Sequence, residues 1–358
     1  MINFTVGPVQ TYDYILKIGS QQVPYFRTAE FSDIVNESEQ LLLQMIDAPN
    51  DSKAVFLTGS GTAAMESVVM NVLNDEDKVL VINGGSFGER FSSLCSLHHR
   101  KHDDVCLEFG KTLRKEELIP YSDKGYTALL VNVNETSTGV LYDMNIIRDF
   151  CKKNNMLLVA DAISSFLADN FSMKDMGVDV AVISSQKALA CAPGISMTVM
   201  DPKALERVEK NDDRNMYLSL KDALKNALRG QTPFTPAVGI IRQIHARLKY
   251  IETHGGVRRE IDHVSVLARD FRERIKEFPF TLYAETPSNA VTSVHAGEIS
   301  ARLVFETLKD DYGIWVCPNG GTMAETIFRV GHIGNLSISD NDRLFEALHD
   351  MKKRGMLG

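Results

Sequence analysis

Short, continuously apolar segments alternate with amphipathic segments between residues 34 and 200. The apolar segments predict strands and the amphipathic segments predict helices. Strands without polar alternation are typical of a parallel sheet that helices cover on both faces. The predicted helices span 34–46, 62–73, 87–99 and 144–154, and the predicted strands span 54–57, 79–83, 105–109, 128–133, 156–160 and 178–183, with an antiparallel edge strand at 196–200. An α/β domain of this kind should bind its ligands at the carboxyl ends of the strands.

The pattern changes after residue 200, where helices are predicted over 202–210 and 216–228. A long helix should run from Pro236 to about Thr253, with Thr235 as its N-cap and the proline at the first helical position. The remaining elements predict a smaller α+β unit: a helix to about Phe278, strands near Leu282, Val291, Trp315 and Phe328, a helix from Ser300 and a last helix capped by Ser339. We therefore divide the chain into an N-terminal arm (1–20), a large α/β domain (21–235), and a linking helix with a small C-terminal α+β domain (236–358). The arm, with its turn at Gly7-Pro8, should pack over another element.

Length and composition narrow the class of protein. The chain has 358 residues, 44% of them hydrophobic, and a net charge of −8, which fits a two-domain globular protein and argues against a nucleic-acid partner. Its five cysteines are scattered without a CxxC pair, which favours reduced thiols over disulfides or a zinc site. The first residues, MINFTVGPVQ, do not show a basic segment followed by an apolar core, and no apolar run approaches the roughly 18 residues of a membrane span. We expect a cytoplasmic protein that binds neither nucleic acid nor a membrane.

Lys187 follows the predicted strand 178–183 and opens a short segment rich in small residues. Partial desolvation at the end of a buried strand favours the neutral, nucleophilic amine. Such a lysine can form a Schiff base with an aldehyde, and pyridoxal phosphate is the commonest protein-bound aldehyde that uses one. Asp161 ends the preceding strand. Its carboxylate could hold the protonated ring nitrogen of that cofactor, or it could be only a helix cap or part of a solvated turn.

Three further segments offer groups that such a cofactor needs, and each has a structural alternative. The Gly-Ser-Gly-Thr turn before the helix 62–73 could hold a phosphate with N–H groups and the hydroxyls of Ser60 and Thr62, or it is a capped turn. Thr136 in the turn 134–139 could donate to the cofactor's phenolic oxygen, or the turn is simply polar. Phe87 could stack on a pyridine ring, or it packs against its own helix.

Other residues of interest are ambiguous when each is taken alone. Arg329 interrupts an apolar strand, where its charge needs a partner; that partner could be an internal carboxylate or the acid group of a substrate. His98 and His102 could share a helix face near Asp103, but this segment is more typical of a solvated helix end than of a metal site. Cys317, in a predicted loop, could be a persulfide-forming nucleophile or an ordinary buried thiol.

Together these motifs resemble those of the class V aminotransferases, a branch of the fold-type I pyridoxal-phosphate enzymes. The matching segments, in the family's order, are VGP, TGSGTAAME, SFGERF, NETSTG, VADAIS, SSQKAL and FRVGHIG. The resemblance implies a large domain with a mainly parallel seven-stranded sheet and a smaller α+β C-terminal domain. It also implies a homodimer with shared active sites.

The resemblance further implies a role for each matching residue. Lys187 would form the Schiff base, Asp161 would pair with the ring nitrogen and Ile163 would pack against the ring. Phe87 would stack on the ring and Thr136 would hydrogen-bond to the phenolic oxygen. The remaining matches are the phosphate ligands Ser60, Gly61, Thr62 and Gln186, with Thr235 supplied by the neighbouring chain, and the substrate-binding residues Arg329 and Gly7.

The implied function is a ping-pong transfer of an amino group. The donor would be a small amino acid such as alanine or serine, or 2-aminoethylphosphonate, and the acceptor a 2-oxo acid such as pyruvate or glyoxylate. Two departures from the family pattern bear on substrate identity: Gln10-Thr11 replaces a second proline, and Phe26 replaces a histidine before Arg27. Gln186, where cysteine desulfurases usually carry histidine, favours transamination over a desulfurase or lyase that uses Cys317. A catalytically inactive binding protein with the same fold is the other alternative.

Overall fold

The computed structural model of the chain describes residues 1–357. In chain order its strands are β1 (Ile2–Asn3), β2 (Lys53–Thr58), β3 (Lys78–Asn83), β4 (Lys101–Cys106), β5 (Ala128–Asn132), β6 (Asn134–Glu135), β7 (Val140–Leu141), β8 (Leu157–Asp161), β9 (Val180–Ser184), β10 (Ile195–Met200), β11 (Thr281–Leu282), β12 (Val291–His295), β13 (Ile314–Trp315), β14 (Cys317–Pro318) and β15 (Ile327–Gly331). Its α-helices are α1 (Asp13–Gly19), α2 (Ala29–Met45), α3 (Gly61–Asn71), α4 (Ser86–Leu97), α5 (Lys115–Leu118), α6 (Met144–Lys153), α7 (Met173–Met176), α8 (Pro202–Lys210), α9 (Leu220–Ala227), α10 (Val238–Thr253), α11 (Gly256–Arg274), α12 (Ala301–Tyr312) and α13 (Ile338–Lys353). Within residues 1–357, no helix combines the length and the apolar character that a membrane span needs.

Seven strands form the central sheet, in the order β2-β10-β9-β8-β5-β3-β4. Strand β10 runs antiparallel to both of its neighbours, and the other pairs are parallel. Every residue of β5, β8 and β9 is buried, as expected for strands covered on both faces. The predicted mainly parallel seven-stranded sheet is thus confirmed. The prediction that 196–200 is an edge strand is wrong, because β10 is internal and β2 lies at the edge.

Two apolar cores lie on the two faces of this sheet. Successive side chains of a strand point to opposite faces, and accordingly Leu129 lies in one core and Leu130 in the other. The first core is closed by α2 and α10, and the second by α3 and α4. The linking helix α10 therefore shares the core of the large sheet, and the domain boundary placed at residue 235 stays a prediction.

The C-terminal unit contains a four-stranded antiparallel sheet, in the order β11-β12-β15-β14. Helices α11, α12 and α13 pack with it around a third core, which also takes in Ile2 and Phe4 of the arm. Strand β1 pairs in parallel with β13. The arm then crosses to the large sheet, where the Val9 N–H donates to the Gln186 carbonyl at 3.2 Å. The arm consequently ties the small unit to the segment that contains the lysine.

Several predicted boundaries are corrected. Thr235 does not cap α10: the helix begins at Val238 with Ala237 as its N-cap, and the Ala237 N–H donates to Thr58 Oγ1 at 3.1 Å. The cap of α13 is Ser337 in a capping box with Asp340, not Ser339. Helix α9 begins at Leu220 instead of residue 216.

Strand β4 begins four residues before the predicted strand 105–109 and ends at Cys106. It is the edge strand beside β3, and its sequence KHDDVC is mostly polar because one side of it meets solvent. His102 and Asp103 therefore lie in a strand and not at a helix end. The apolar-run criterion placed the start of this strand four residues too late for the same reason.

Candidate active site

One cavity of about 190 Å³ lies at the carboxyl ends of the central strands. It brings together most of the residues that the sequence singled out: Gly7, Ser60, Gly61, Thr62, Phe87, Thr136, Asp161, Ile163, Gln186 and Lys187. Met65, Arg90 and Ser164, which the sequence did not single out, line it as well. Residues far apart in the chain meet here because β2, β3, β5, β8 and β9 all end at the same edge of the sheet.

Lys187 is almost fully buried, with 9% of its surface exposed. Its Nζ donates a hydrogen bond to the Val6 carbonyl of the arm at 2.6 Å. Burial lowers the pKa of this amine to about 8, the positive charge of Arg329 adds to the decrease, and the Asp161 carboxylate opposes it. The neutral, nucleophilic amine is therefore reached at a lower pH than in an ordinary lysine.

Gly7 closes the cavity over this lysine. Its φ of +134° suits glycine, and a Cβ atom added there would lie 2.8 Å from Lys187 Cδ and 2.9 Å from Lys187 Cε. The arm thus crosses the lysine side chain at van der Waals distance. Any larger residue at this position would displace either the arm or the amine.

Asp161 is the last residue of β8 and is 6% exposed. One carboxylate oxygen accepts from Asn132 Nδ2 at 2.7 Å, and the other accepts from the Ile163 N–H at 2.8 Å. Burial raises the pKa of Asp161 to about 6, and these two hydrogen bonds work against the rise. The solvated-turn alternative is excluded, since the carboxylate is buried and held in a fixed orientation.

The Gly-Ser-Gly-Thr turn leads into α3, whose N-cap is Ser60. The Ser60 hydroxyl makes no capping hydrogen bond, and the N–H groups of Gly61 and Thr62 meet no acceptor within residues 1–357. Gln186 Oε1 accepts from the Ser184 hydroxyl. Because free N–H groups at a helix N-terminus attract anions, the turn is ready to accept one.

The turn after β5, which the sequence left as either a polar turn or a cofactor contact, is buried. Thr136 Oγ1 and Ser164 Oγ lie 2.7 Å apart beside the cavity. The Glu135 carboxylate, 1% exposed, accepts from the N–H groups of Phe87 at 3.2 Å and Gly88 at 2.9 Å. Glu135 thereby caps α4 and fixes the backbone that carries Phe87, a role that the sequence did not reveal.

Arg329, in β15, points a half-buried guanidinium toward the same turn. It donates to the carbonyls of Thr136 at 3.1 Å and Pro318 at 2.9 Å, and to Cys317 Sγ at 3.2 Å. Its Nε is buried without a partner, and no carboxylate among residues 1–357 forms an ion pair with it. The internal salt bridge considered from the sequence is therefore absent from the described chain, and the charge is free to meet an acid group.

Three predicted features lie elsewhere or differ in form. Thr235 is exposed and lines a separate groove of about 670 Å³ with Tyr25, so it is not part of its own chain's cavity. Cys317 lies in β14 and not in a loop. His98 pairs with Glu66 at 2.9 Å, and residues 1–357 contain no group of three or more side chains suited to hold a metal ion.

Known proteins share both the sequence pattern and the fold. The family model described as aminotransferase class-V matches residues 19–335. An L-aspartate–glyoxylate aminotransferase of Paracoccus denitrificans is 30% identical, covering 79% of this chain and 74% of that protein. A 2-aminoethylphosphonate–pyruvate transaminase of Bacillus cytotoxicus is 28% identical, covering 90% of each. A solved aspartate aminotransferase from Thermus thermophilus superposes with a TM-score of 0.91 at 26% identity, covering 98% of this chain and 99% of that one.

Proposed function

The chain belongs to the class V aminotransferases, which are pyridoxal-phosphate enzymes. From that premise we propose that it transfers the amino group of a small donor that carries an acid group to a 2-oxo acid. The donor is an amino acid such as alanine, serine or aspartate, or 2-aminoethylphosphonate, and the acceptor is pyruvate or glyoxylate, in two alternating half-reactions. Relatives named for aspartate, glyoxylate, aminoethylphosphonate and pyruvate support this range. The observation that carries the proposal is a buried amine and a buried carboxylate in one cavity, beside an arginine without an ionic partner.

The cavity offers groups that fit the cofactor. The unsatisfied N–H groups of Gly61 and Thr62 suit its phosphate, with Ser60 and Gln186 beside them. We assign Asp161 to the ring nitrogen and Thr136 to the phenolic oxygen, with Ile163 and Phe87 against the ring. When bound, the cofactor supplies an electron sink that stabilises negative charge at the substrate's α-carbon.

Lys187 has two tasks in this proposal. Its amine would hold the cofactor's aldehyde carbon, and when that amine is free, Nζ would take the proton from the donor's α-carbon as a base and deliver it to the cofactor's C4′ atom as an acid. A pKa of about 8 suits a group that must both accept and release a proton near neutral pH. The Val6 carbonyl holds Nζ at 2.6 Å, and the arm keeps water from the amine. The Asp161 carboxylate is charged above its pKa of about 6. In that form it would keep the ring nitrogen of the cofactor protonated.

Arg329 is the group that we assign to the substrate's acid function. Its planar fork matches a carboxylate or a phosphonate with two hydrogen bonds, and Nε has no partner in the described chain. Cys317 lies against this guanidinium, which places its thiol in contact with the acid-binding residue. The aminotransferase relatives do not favour a desulfurase or lyase that uses Cys317.

Mixing the loaded enzyme with single donors should identify the substrate. We expect the visible absorption band to bleach in a single turnover with a small amino acid or with 2-aminoethylphosphonate, and Arg329→Ala should need a roughly 10- to 100-fold higher donor concentration, since a hydrogen bond to a charged group is lost. Arg329→Lys should lie between the two. The measurement is stopped-flow absorbance over a donor series.

Cofactor titration of the same variants is the control. Affinity for pyridoxal phosphate should change much less than donor affinity in Arg329→Ala. Equal losses would show that Arg329 mainly supports the Thr136 carbonyl, to which it donates. Failure of every donor to bleach the wild-type band would favour a binding protein without catalysis.

We further propose a homodimer in which each chain completes the other's phosphate site through Thr235. Thr235 is exposed and lies outside its own cavity, and its loop is held in place because Arg27 donates to the carbonyls of Thr232 and Pro233. Large apolar side chains are exposed nearby in sequence, among them Met216 at 77% and Leu228 at 83%. The five unpaired thiols support the cytoplasmic location expected from the sequence.

Sedimentation equilibrium should give the mass of two chains, and Thr235→Ala should weaken pyridoxal phosphate binding by roughly tenfold. Thr281→Ala, which alters an exposed threonine of β11, is the matched control and should bind normally. A monomer with full cofactor affinity, or a Thr235→Ala protein that binds as the wild type does, would contradict a shared site.

A further inference from the structure

Arg90 lies one turn into α4 and lines the cavity. Its Nη1 donates to Thr62 Oγ1 at 3.0 Å, so the guanidinium touches the turn that leads into α3. Its central carbon lies 4.7 Å from the centre of the Phe87 ring, close enough for a cation–π contact. Two contacts, with a hydroxyl and with an aromatic ring, therefore fix the guanidinium at the edge of the cavity.

The hydrogen bonding of Arg90 is incomplete. A guanidinium has five N–H donors, but within residues 1–357 the Thr62 hydroxyl is the one acceptor that this guanidinium meets. No carboxylate of the described chain pairs with it. Arg329, by comparison, meets three acceptors. Arg90 is thus a half-buried cation with most of its donors unused beside a cavity, and its field reaches Lys187, whose pKa it helps to lower.

We propose that Arg90 is a further cationic ligand of the cofactor's phosphate, acting from α4 next to the turn of Ser60 to Thr62. This inference rests on the proposed function. The turn offers free N–H groups and hydroxyls, which are neutral donors, whereas a phosphate monoester near neutral pH carries a charge of about −1.5 to −2. A guanidinium with free donors, bonded to Thr62 of that same turn, supplies the missing positive charge and a fork that matches phosphate oxygens.

The alternative partner for Arg90 is a second acid group on the substrate. The two arginines of the site contact different elements: Arg329 contacts the Thr136 turn and β14, and Arg90 contacts the first turn of α3. Thr62, which together with Gly61 offers a free N–H group, is the residue to which Arg90 donates. An anion held by those N–H groups would meet Arg90 first, which favours the phosphate.

Binding of pyridoxamine phosphate and of pyridoxamine to cofactor-free protein tests this assignment. The two ligands share the same ring and differ in the phosphate, and neither carries the aldehyde that reacts with Lys187. We expect Arg90→Gln to raise the Kd for pyridoxamine phosphate by roughly 10- to 100-fold and the Kd for pyridoxamine by less than about twofold. Isothermal titration calorimetry gives both constants, and circular dichroism shows whether the variant is folded.

Three variants make the result specific. Phe87→Leu removes the ring beneath Arg90 and should weaken both ligands by similar factors. Arg90→Lys keeps the charge without the fork and should recover part of the phosphate preference. Arg343→Gln, on the exposed side of α13, should bind both ligands as the wild type does.

Each other outcome overturns the assignment. Equal losses of both ligands in Arg90→Gln would show that Arg90 acts only through the Phe87 ring. Unchanged binding of both ligands, with a raised KM for a dicarboxylic donor, would assign Arg90 to the substrate instead. If the wild-type protein binds neither ligand, the proposed function itself is refuted. If the wild-type protein prefers the phosphorylated ligand and Arg90→Gln keeps that preference, only the Arg90 assignment is refuted.

Discussion

Lys187→Ala should give a folded, colourless protein that does not transfer amino groups. The amine that attaches the cofactor and moves the proton is lost, and we expect the rate of amino transfer to fall by roughly 10³-fold or more. The fold should survive, because the hydrogen bond that is lost joins Nζ to a single carbonyl of the arm, that of Val6. Visible absorbance, amino-transfer rate and circular dichroism of the purified variant measure the three effects.

The matched control is Lys203→Ala, which changes a lysine that lies outside the cavity and pairs with Asp179. That variant should stay yellow and active. Treatment of the wild type with borohydride should abolish the visible band and leave the cofactor on the peptide that contains Lys187. A coloured, active Lys187→Ala protein, or label on any other lysine, would exclude the central assignment.

The pH dependence of cofactor loading tests the buried environment of the same amine. An ordinary lysine has a pKa of 10.5, and burial lowers the pKa of Lys187 to about 8. Only the neutral amine attacks an aldehyde, so the loading rate of cofactor-free protein should rise about tenfold per pH unit below pH 8 and level off above it. A rate that continues to rise through pH 10 would show that the amine is solvated in the cofactor-free state.

Chain topology explains why the sequence alone could place Lys187 and Asp161 in the same cavity. Each residue ends or follows a continuously apolar strand, and parallel strands bring their carboxyl ends to one edge of the sheet. The same rule places the Ser60 turn at this edge, since the turn directly follows β2. These inferences needed only local patterns and the direction of the strands.

Contacts between distant segments could not be inferred in this way. Asn132 meets Asp161 across 29 residues and Glu135 meets Gly88 across 47, and nothing in either local sequence names its partner. The Val6 carbonyl meets Lys187 across 181 residues. A carbonyl acceptor of the main chain has no side-chain signature. Its contact with Lys187 depends on how the arm packs on the large sheet, which the local sequence does not specify.

Arg90 illustrates a different difficulty. The predicted helix 87–99 is close to α4, and the motif SFGERF draws attention to its aromatic residue, but nothing in the sequence distinguishes the arginine three positions later from a surface charge. The Arg90 side chain is unusual because no carboxylate of the described chain pairs with it and one hydroxyl, that of Thr62, accepts a hydrogen bond from it. A missing partner is a tertiary property, and sequence patterns do not report it.

Asp161→Asn should lower the rate of amino transfer by roughly 10²- to 10³-fold, the usual cost of removing one preorganised electrostatic contact. The neutral amide can still accept from the Ile163 N–H, but it no longer holds a protonated ring nitrogen. Single-turnover rates with the best donor measure the loss. Asn132→Ala, which removes the neighbour of the carboxylate and keeps its charge, is the control and should cost much less. Equal rates for Asp161→Asn and the wild type would refute the assigned role.

The same substitution should stabilise the cofactor-free protein. Burial raises the pKa of Asp161 from 3.8 to about 6. Above pH 6 the folded state therefore contains a buried carboxylate, whereas the unfolded state holds the same charge in water at a lower free energy. At 1.36 kcal/mol per pKa unit the cost is about 3 kcal/mol. It fades as the pH falls from 6 to 4, because the folded state then takes up the proton first. Urea unfolding should therefore show Asp161→Asn to be more stable than the wild type at pH 8, with the difference shrinking toward pH 4. A variant that is less stable at both pH values would mean that the hydrogen bonds of the carboxylate to Asn132 and Ile163 outweigh the cost of burying its charge.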